Sequence, residues 1–273
     1  MSMLEPSLWV LGAMAAIMLA AWLTQRVSGN AGWVDVFWTL GTGAACVLVA
    51  LWPSTEANAG RQWLVAGLGA VWAIRLGGYV ALRVAGSKSE DARYAKLREE
   101  WGPKFQNNML FLVIPQAPAT ALLSVSVFAA AHVGFGAIGL RDALGAAILA
   151  VAIAGEGLAD EQMRQFKRTA KRGALMDRGL WAWSRHPNYF FEWLGWMAYP
   201  VIAFDPARPE TWATFVAPVV MFIVLRYGTG VPMLERLMIQ SRGDVFRDYQ
   251  SRVSAFFLWP PNSGKTRQEE RPS

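Results

Sequence analysis

The sequence predicts an all-α membrane protein with seven transmembrane helices, and three observations carry that reading. Hydrophobic residues make up 54% of the 273 residues and charged ones only 17%, against about 25% charged in a soluble domain. The chain holds 14 Trp and its mean hydropathy is +0.24, as expected of a chain that meets lipid and its interface. The apolar residues are gathered into seven runs, with the basic residues concentrated between alternate ones.

The runs lie at Leu8–Gln25, Trp33–Trp52, Trp63–Leu82, Met109–His132, Ala143–Leu158, Tyr189–Phe204 and Trp212–Tyr227. Each is about 16–24 residues long, near the roughly 20 a helix needs to cross the hydrocarbon core. The fifth and sixth are short, which implies that their polar ends are partly embedded. The first run is read as a span rather than a signal peptide, because MSMLEPS lacks a basic leading segment. "LGTGA" at 40–44 and "YGTG" at 227–230 are read as places where small residues let helices approach closely.

Orientation follows from Lys and Arg. Arg83, Lys88, Arg93, Lys96, Arg98 and Lys104 lie between runs three and four. Arg164, Lys167, Arg168, Lys171, Arg172, Arg178 and Arg185 lie between runs five and six, and Arg236, Arg242, Arg247, Arg252, Lys265, Arg267 and Arg271 follow run seven. The alternate loops hold only Arg61, Arg141 and Arg208. With seven spans the basic segments share one side, which the positive-inside rule makes cytoplasmic. The N-terminus is then outside and the C-terminus cytoplasmic. Residues 1–261 read as one membrane domain and 262–273 as a disordered tail.

Composition also excludes. The net charge of +6 is distributed as helix anchors facing anionic headgroups rather than as a nucleic-acid surface. A single Cys46 and two histidines, His132 and His186, give neither a disulfide framework nor a Cys/His metal cluster. No G-x-G-x-x-G follows a strand and there is no Walker pattern, so neither soluble nucleotide fold is expected.

Ionisable residues in or beside the spans mark a candidate site, since each costs a few kcal/mol to insert. Asp35, Arg75, Glu156, Asp160, Glu192 and Glu235 are such residues, gathered toward the cytosolic half. Several stand four apart: Arg75 and Tyr79, Glu156 and Asp160, Asp160 and Arg164, Arg164 and Arg168, Asn188 and Glu192. Four-residue spacing lines one helix face. A polar pocket with a basic mouth suits a phosphorylated ligand, which Arg binds in a bidentate way. The densest stretch is "SRHPNYFFEW" at 184–193, with Arg185, His186, Asn188, Tyr189 and Glu192 at the start of an apolar helix.

The run "RGLWAWSRHPNYFFEWLGW" resembles the C-terminal signature of the steroid 5-alpha-reductase family, particularly its bacterial membrane branch. The likeness extends to "WVDVFW", "VWAIRLGGYVALR", "EDARYAKLREEWG", "GEGLADEQMRQFKR", "GVPMLERLM" and "RDYQSRVSAFFLWPP", and so covers roughly residues 30–261. It implies a seven-helix reductase in the bacterial inner membrane that holds NADPH in its cytosolic half. Its substrate would be a 3-oxo-4-ene steroid or a similar lipophilic enone, the hydride going to the beta carbon and a proton to the alpha carbon. Beyond substrate and membrane lipid, no obligate protein partner is implied.

Carried over by position, the resemblance puts Asn188 and Glu192 beside the nicotinamide. Asp160 and Arg164 take the acidic and basic places of the fifth helix, and Arg75 and Tyr79 match an Arg and a Tyr four apart in the third. Lys167 and Arg168 are implied phosphate contacts. Arg185 and His186 join the same dinucleotide-binding set, and Tyr249 matches a C-terminal tyrosine. Mammalian members have a tyrosine three positions before the third-helix Arg; here that position is Trp72. Asp35 is the nearest acid in the second helix. Asp35, Trp72 and Tyr189 are therefore the candidate catalytic residues, with a protonated Asp35 as the donor to the enone oxygen. A looser likeness, to isoprenylcysteine carboxyl methyltransferases, gives an alternative enzyme using S-adenosylmethionine. A non-enzymatic lipid-binding or transport protein is the other alternative.

Overall fold

The computed structural model describes residues 3–87, 89–132, 136–171 and 173–262. Lys88, Arg172, Lys265, Arg267, Arg271 and the expected tail beyond Asn262 lie outside the described residues. The named elements are helices: α1 Leu4–Ser28, α2 Gly32–Ala50, α3 Ala59–Gly86, α4 Ala92–Trp101, α5 Phe105–Val113, α6 Gln116–His132, α7 Leu140–Thr169, α8 Pro187–Trp196, α9 Ala198–Ala203, α10 Val216–Tyr227, α11 Val231–Arg242 and α12 Asp244–Arg252.

Among the described residues, six helical stretches are long and apolar enough to cross a membrane: Leu4–Ser28, Gly32–Ala50, Ala59–Gly86, Ala92–His132, Leu140–Thr169 and Pro209–Arg242. They contain all the predicted runs but the sixth, apart from residues at the ends of the second. The sixth becomes α8 and α9, of 10 and 6 residues, each well short of the roughly 20 that span a bilayer. The break has a local cause. Pro200 has no N–H, and its ring clashes with the carbonyl four residues back; that residue is Trp196, the last of α8. Met197 instead donates to Leu194 O at 3.0 Å in a tighter turn.

The chain forms two compact units. The first comprises Met1–Ala150 and Leu194–Met221, the second Val151–Trp193 and Phe222–Ser273.

In the first unit α2 packs against α1, α3 and α6. The α2–α3 seam is built from small residues. A Cβ added to Gly43 would lie 2.0 Å from Ala73 Cβ, and one on Gly69 would lie 2.7 Å from Cys46 Cβ. Only glycine allows this approach, which gives "LGTGA" the packing role expected of it. At the Arg-poor turns, buried Arg61 forms a fork with buried Asp142, Nε to Oδ1 at 2.8 Å and Nη2 to Oδ2 at 3.1 Å. Beside the α1–α2 turn, Glu90 accepts from Ala31 N at 2.9 Å and from both Nε and Nη2 of Arg98 at 3.0 and 2.9 Å. The Arg98 guanidinium in turn lies 4.0 Å over the Phe105 ring.

In the second unit the chain's C-terminal stretch is laced to the loop before α8. Ser184 and Ser254 form an isolated parallel bridge, with Arg185 N donating to Ser254 O at 2.8 Å and Trp259 N to Trp183 O at 3.0 Å. Phe190, Trp193, Phe222, Phe256 and Phe257 cluster edge-to-face beneath it, with ring centroids about 5–6 Å apart.

Candidate functional site

The second unit holds the "SRHPNYFFEW" stretch. Pro187 opens α8, where its missing N–H costs nothing. The preceding loop is fastened to α7: Trp181 Nε1 donates to Ala159 O at 3.1 Å, and Leu180 N to Gln162 Oε1 at 3.0 Å. Further along, Gly155 lets Phe191 in so closely that an added Cβ would lie 2.3 Å from its ring. These contacts bring the α7 segment that carries Asp160 together with the loop and first turns of α8.

Behind the loop stands Glu235 of α11. Its Oε1 accepts from Arg185 Nε at 2.6 Å and from His186 Nε2 at 3.2 Å, and its Oε2 accepts from Gln250 Nε2 at 2.7 Å. Arg185 Nη1 also donates to Gln250 O at 3.0 Å and to Val253 O. The Arg185 side chain is only 9% exposed. The His186 ring lies parallel to Tyr189, 5.6 Å between centroids and 10° between planes. Burial holds the His186 pKa below the ordinary histidine value; Glu235 pulls the other way, and Arg185 and Arg226 add to the depression.

The expected ligand-binding residues of this unit therefore divide. Arg185 and Tyr249 are turned inward. Tyr249 is buried and its hydroxyl donates to Trp181 O, while burial raises its phenol pKa. Asn188 is half-buried, and no described residue hydrogen-bonds its amide. Glu192, one turn on, is buried, as is Glu156; Asp160 is half-buried. Arg164 forks onto Glu161 at 2.6 and 2.7 Å. Lys167 and Arg168 are exposed on the last turn of α7.

The first unit holds the remaining candidates. The Arg75 guanidinium lies 5.8 Å over the Tyr79 ring, and Arg83 lies 5.9 Å over the same ring. Trp72 is buried, edge-to-face with Trp196 at 5.3 Å. Asp35 is not surrounded by apolar side chains alone. Its Oδ2 accepts from Arg93 Nη2 at 2.7 Å and its Oδ1 from Tyr94 OH at 2.7 Å. Arg93 is shared with Asp91, Nε to Oδ1 at 3.0 Å. Asp91 has its pKa lowered overall: burial opposes this, but the charge and hydrogen bonds of Arg93 outweigh it, and Arg83 adds to the effect.

The sequence marks Glu235 as a candidate-site acid without a partner and Arg93 as a loop cation, and gives Tyr94 no role. The signal for Glu235 was its place as an acid directly after a span. Arg93 and Tyr94 carried none beyond lying in "EDARYAKLREEWG". Among the described residues no group of three or more His, Cys, Asp or Glu is placed to hold a metal ion.

Six membrane-length apolar helices, with buried charge networks fastening their ends, define an all-helical integral membrane protein. The chain belongs to the DUF1295 family, described as proteins of unknown function, whose model matches residues 21–253. No curated protein and no solved structure matches it.

Proposed function

We propose that the protein is an NADPH-dependent membrane reductase acting on the double bond of a lipophilic enone, of the 3-oxo-4-ene steroid type. In this reading α8 and α9 together complete a seventh crossing. The N-terminus lies outside and the C-terminus in the cytoplasm of the bacterial inner membrane. The observation that carries the reading is the division within "SRHPNYFFEW". Glu235 locks Arg185 and His186 from behind, while the Asn188 amide at the head of α8 has no hydrogen-bonding partner among the described residues.

The donor set fits a dinucleotide. An amide both donates and accepts, as a nicotinamide carboxamide requires. Lys167 and Arg168 are exposed cations suited to phosphate. NADPH, when bound, supplies the hydride. Asn188 and Glu192 orient the nicotinamide end, and Asp160 accepts from a ribose hydroxyl. Tyr189, one residue after Asn188, lines the approach to the nicotinamide end. Both oxygens of Asp35 already accept hydrogen bonds, from Arg93 Nη2 and from the Tyr94 hydroxyl, each at 2.7 Å, so Asp35 acts on the ketone through the O–H of Tyr94.

Ligand-dependent thermal stability of the purified protein in detergent tests this reading. NADPH at about 100 times its dissociation constant stabilises by about 2.7 kcal/mol; S-adenosylmethionine is expected to do nothing. Oxidation of NADPH on adding a 3-oxo-4-ene steroid completes the assay. Stabilisation by S-adenosylmethionine alone would overturn the proposal in favour of a methyltransferase.

A further inference from the structure

We infer that Glu235 is a positioning residue which fixes His186 as the neutral Nε2–H tautomer, and that the Nδ1 lone pair thereby left over accepts a hydrogen bond from an N–H or O–H group of the bound dinucleotide. The inference rests on the cofactor reading above and names a contact within it.

The two oxygens of Glu235 receive Arg185, His186 and Gln250, so this carboxylate acts only as an acceptor. The hydrogen shared with His186 at 3.2 Å must then sit on Nε2. Charge balance decides the state of the ring. One Arg and one Glu already neutralise each other, at 2.6 Å and with little exposure. A second positive charge on a ring 5% exposed would stand beside Arg185 without a carboxylate of its own. Such a charge is disfavoured by burial and by its like-charged neighbour. The ring is therefore neutral, and a neutral imidazole that donates through Nε2 offers an acceptor at Nδ1.

The surroundings hold this acceptor still. The His186 backbone N–H donates to Ser184 Oγ at 3.1 Å, and that hydroxyl donates to Phe256 O at 2.8 Å. The ring face is set by Tyr189, parallel at 5.6 Å. His186 precedes Pro187 and lies two residues before Asn188, at the head of α8. No described residue donates to Nδ1. An oriented, neutral acceptor beside an amide is suited to a ribose hydroxyl or a carboxamide N–H, and unsuited to a phosphate oxygen, which only accepts.

The chain has two histidines, so ring-nitrogen NMR of the full protein with labelled histidine, in bilayers, is readable, and a His132→Gln variant assigns it. At neutral pH without ligand, the His186 signals should show Nε2 protonated and Nδ1 bare. NADPH should then move the Nδ1 signal. Adenosine 2′,5′-bisphosphate, which lacks the nicotinamide half, should move it only if an adenosine-side ribose hydroxyl is the donor. Glu235→Gln can turn an amide N–H toward Nε2, so it should scramble the tautomer and weaken NADPH binding roughly tenfold. The wild-type spectra stand even if that variant fails to fold. A ring protonated at Nδ1 or at both nitrogens at neutral pH overturns the inference. So does an Nδ1 signal unmoved by an NADPH concentration that raises the melting temperature. If NADPH does not raise the melting temperature, the cofactor reading itself has failed, and the contact with it.

Discussion

Arg185 separates two accounts of the stretch that marks the site. As a ligand contact, its loss would weaken NADPH binding and leave the fold intact. The structure instead makes it a fastening: one guanidinium satisfies Glu235 Oε1 and the carbonyls of Gln250 and Val253, from a side chain 9% exposed. Arg185→Met removes all of these donors and leaves Glu235 partly buried with only His186 and Gln250. Breaking one partner of a buried pair typically costs about 3–5 kcal/mol. At roughly 2–4 °C per kcal/mol for a chain of this size class, that is a fall in Tm of about 6–20 °C. Arg185→Lys should recover only part of it, because one ammonium cannot replace a planar fork spread over a carboxylate and two carbonyls. The assay is thermal unfolding in a fixed detergent at a fixed scan rate, since membrane proteins of this size commonly unfold irreversibly, with NADPH titrated at a temperature where both variants are folded. A fall in Tm below about 2 °C together with a collapse of NADPH affinity would refute the structural assignment and return Arg185 to the ligand.

Asn188→Ala should weaken NADPH binding about 3–10-fold, the worth of one or two hydrogen bonds, with Tm unchanged; full affinity in this variant removes the central contact of the cofactor reading. Arg75→Lys should keep stability within about 1 kcal/mol yet fail to restore affinity for a phosphorylated ligand; recovery of affinity would make Arg75 a structural cation only. Asp35→Asn should bind NADPH normally and reduce an enone steroid far more slowly, and turnover at the wild-type rate would clear Asp35 and its Tyr94 contact of any part in the chemistry. The pH dependence has a definite sign. Because His186 has a lowered pKa in the folded state, the unfolded chain binds more protons just below the ordinary histidine pKa of about 6.5. Stability is therefore fully present above that pH and lost as pH falls toward the folded value. A His186→Gln variant should show a flatter Tm profile across that window; an equally steep profile would point to another group.

Six of the expected spans were legible in the sequence because hydropathy over about 20 residues survives any detail of packing. The break in the sixth run was not read: hydropathy runs through Tyr189–Phe204, although Pro200, whose i−4 carbonyl marks the end of α8, interrupts it. The inward face of the site was not legible. Arg185 and Tyr249 look from the sequence like polar groups awaiting a ligand. Their partners are main-chain carbonyls 65 to 68 residues away, and no pattern in a sequence announces a carbonyl. Asp35 shows the same limit. An acid in "WVDVFW" reads as buried among apolar groups, whereas its partners, Arg93 and Tyr94, come from a segment 58 and 59 residues on.

The lacing of Ser254–Trp259 to the Trp183–His186 loop has a consequence for how the molecule is made. During synthesis α8 leaves the ribosome well before Val253 does, so the guanidinium of Arg185 initially has neither Val253 O nor Gln250 O to meet, nor Glu235. The loop gains these partners only once the segment from Glu235 to Trp259 has been made. A chain that ends after its last span but before Gln250 therefore holds the 183–186 loop without the main-chain partners that close it.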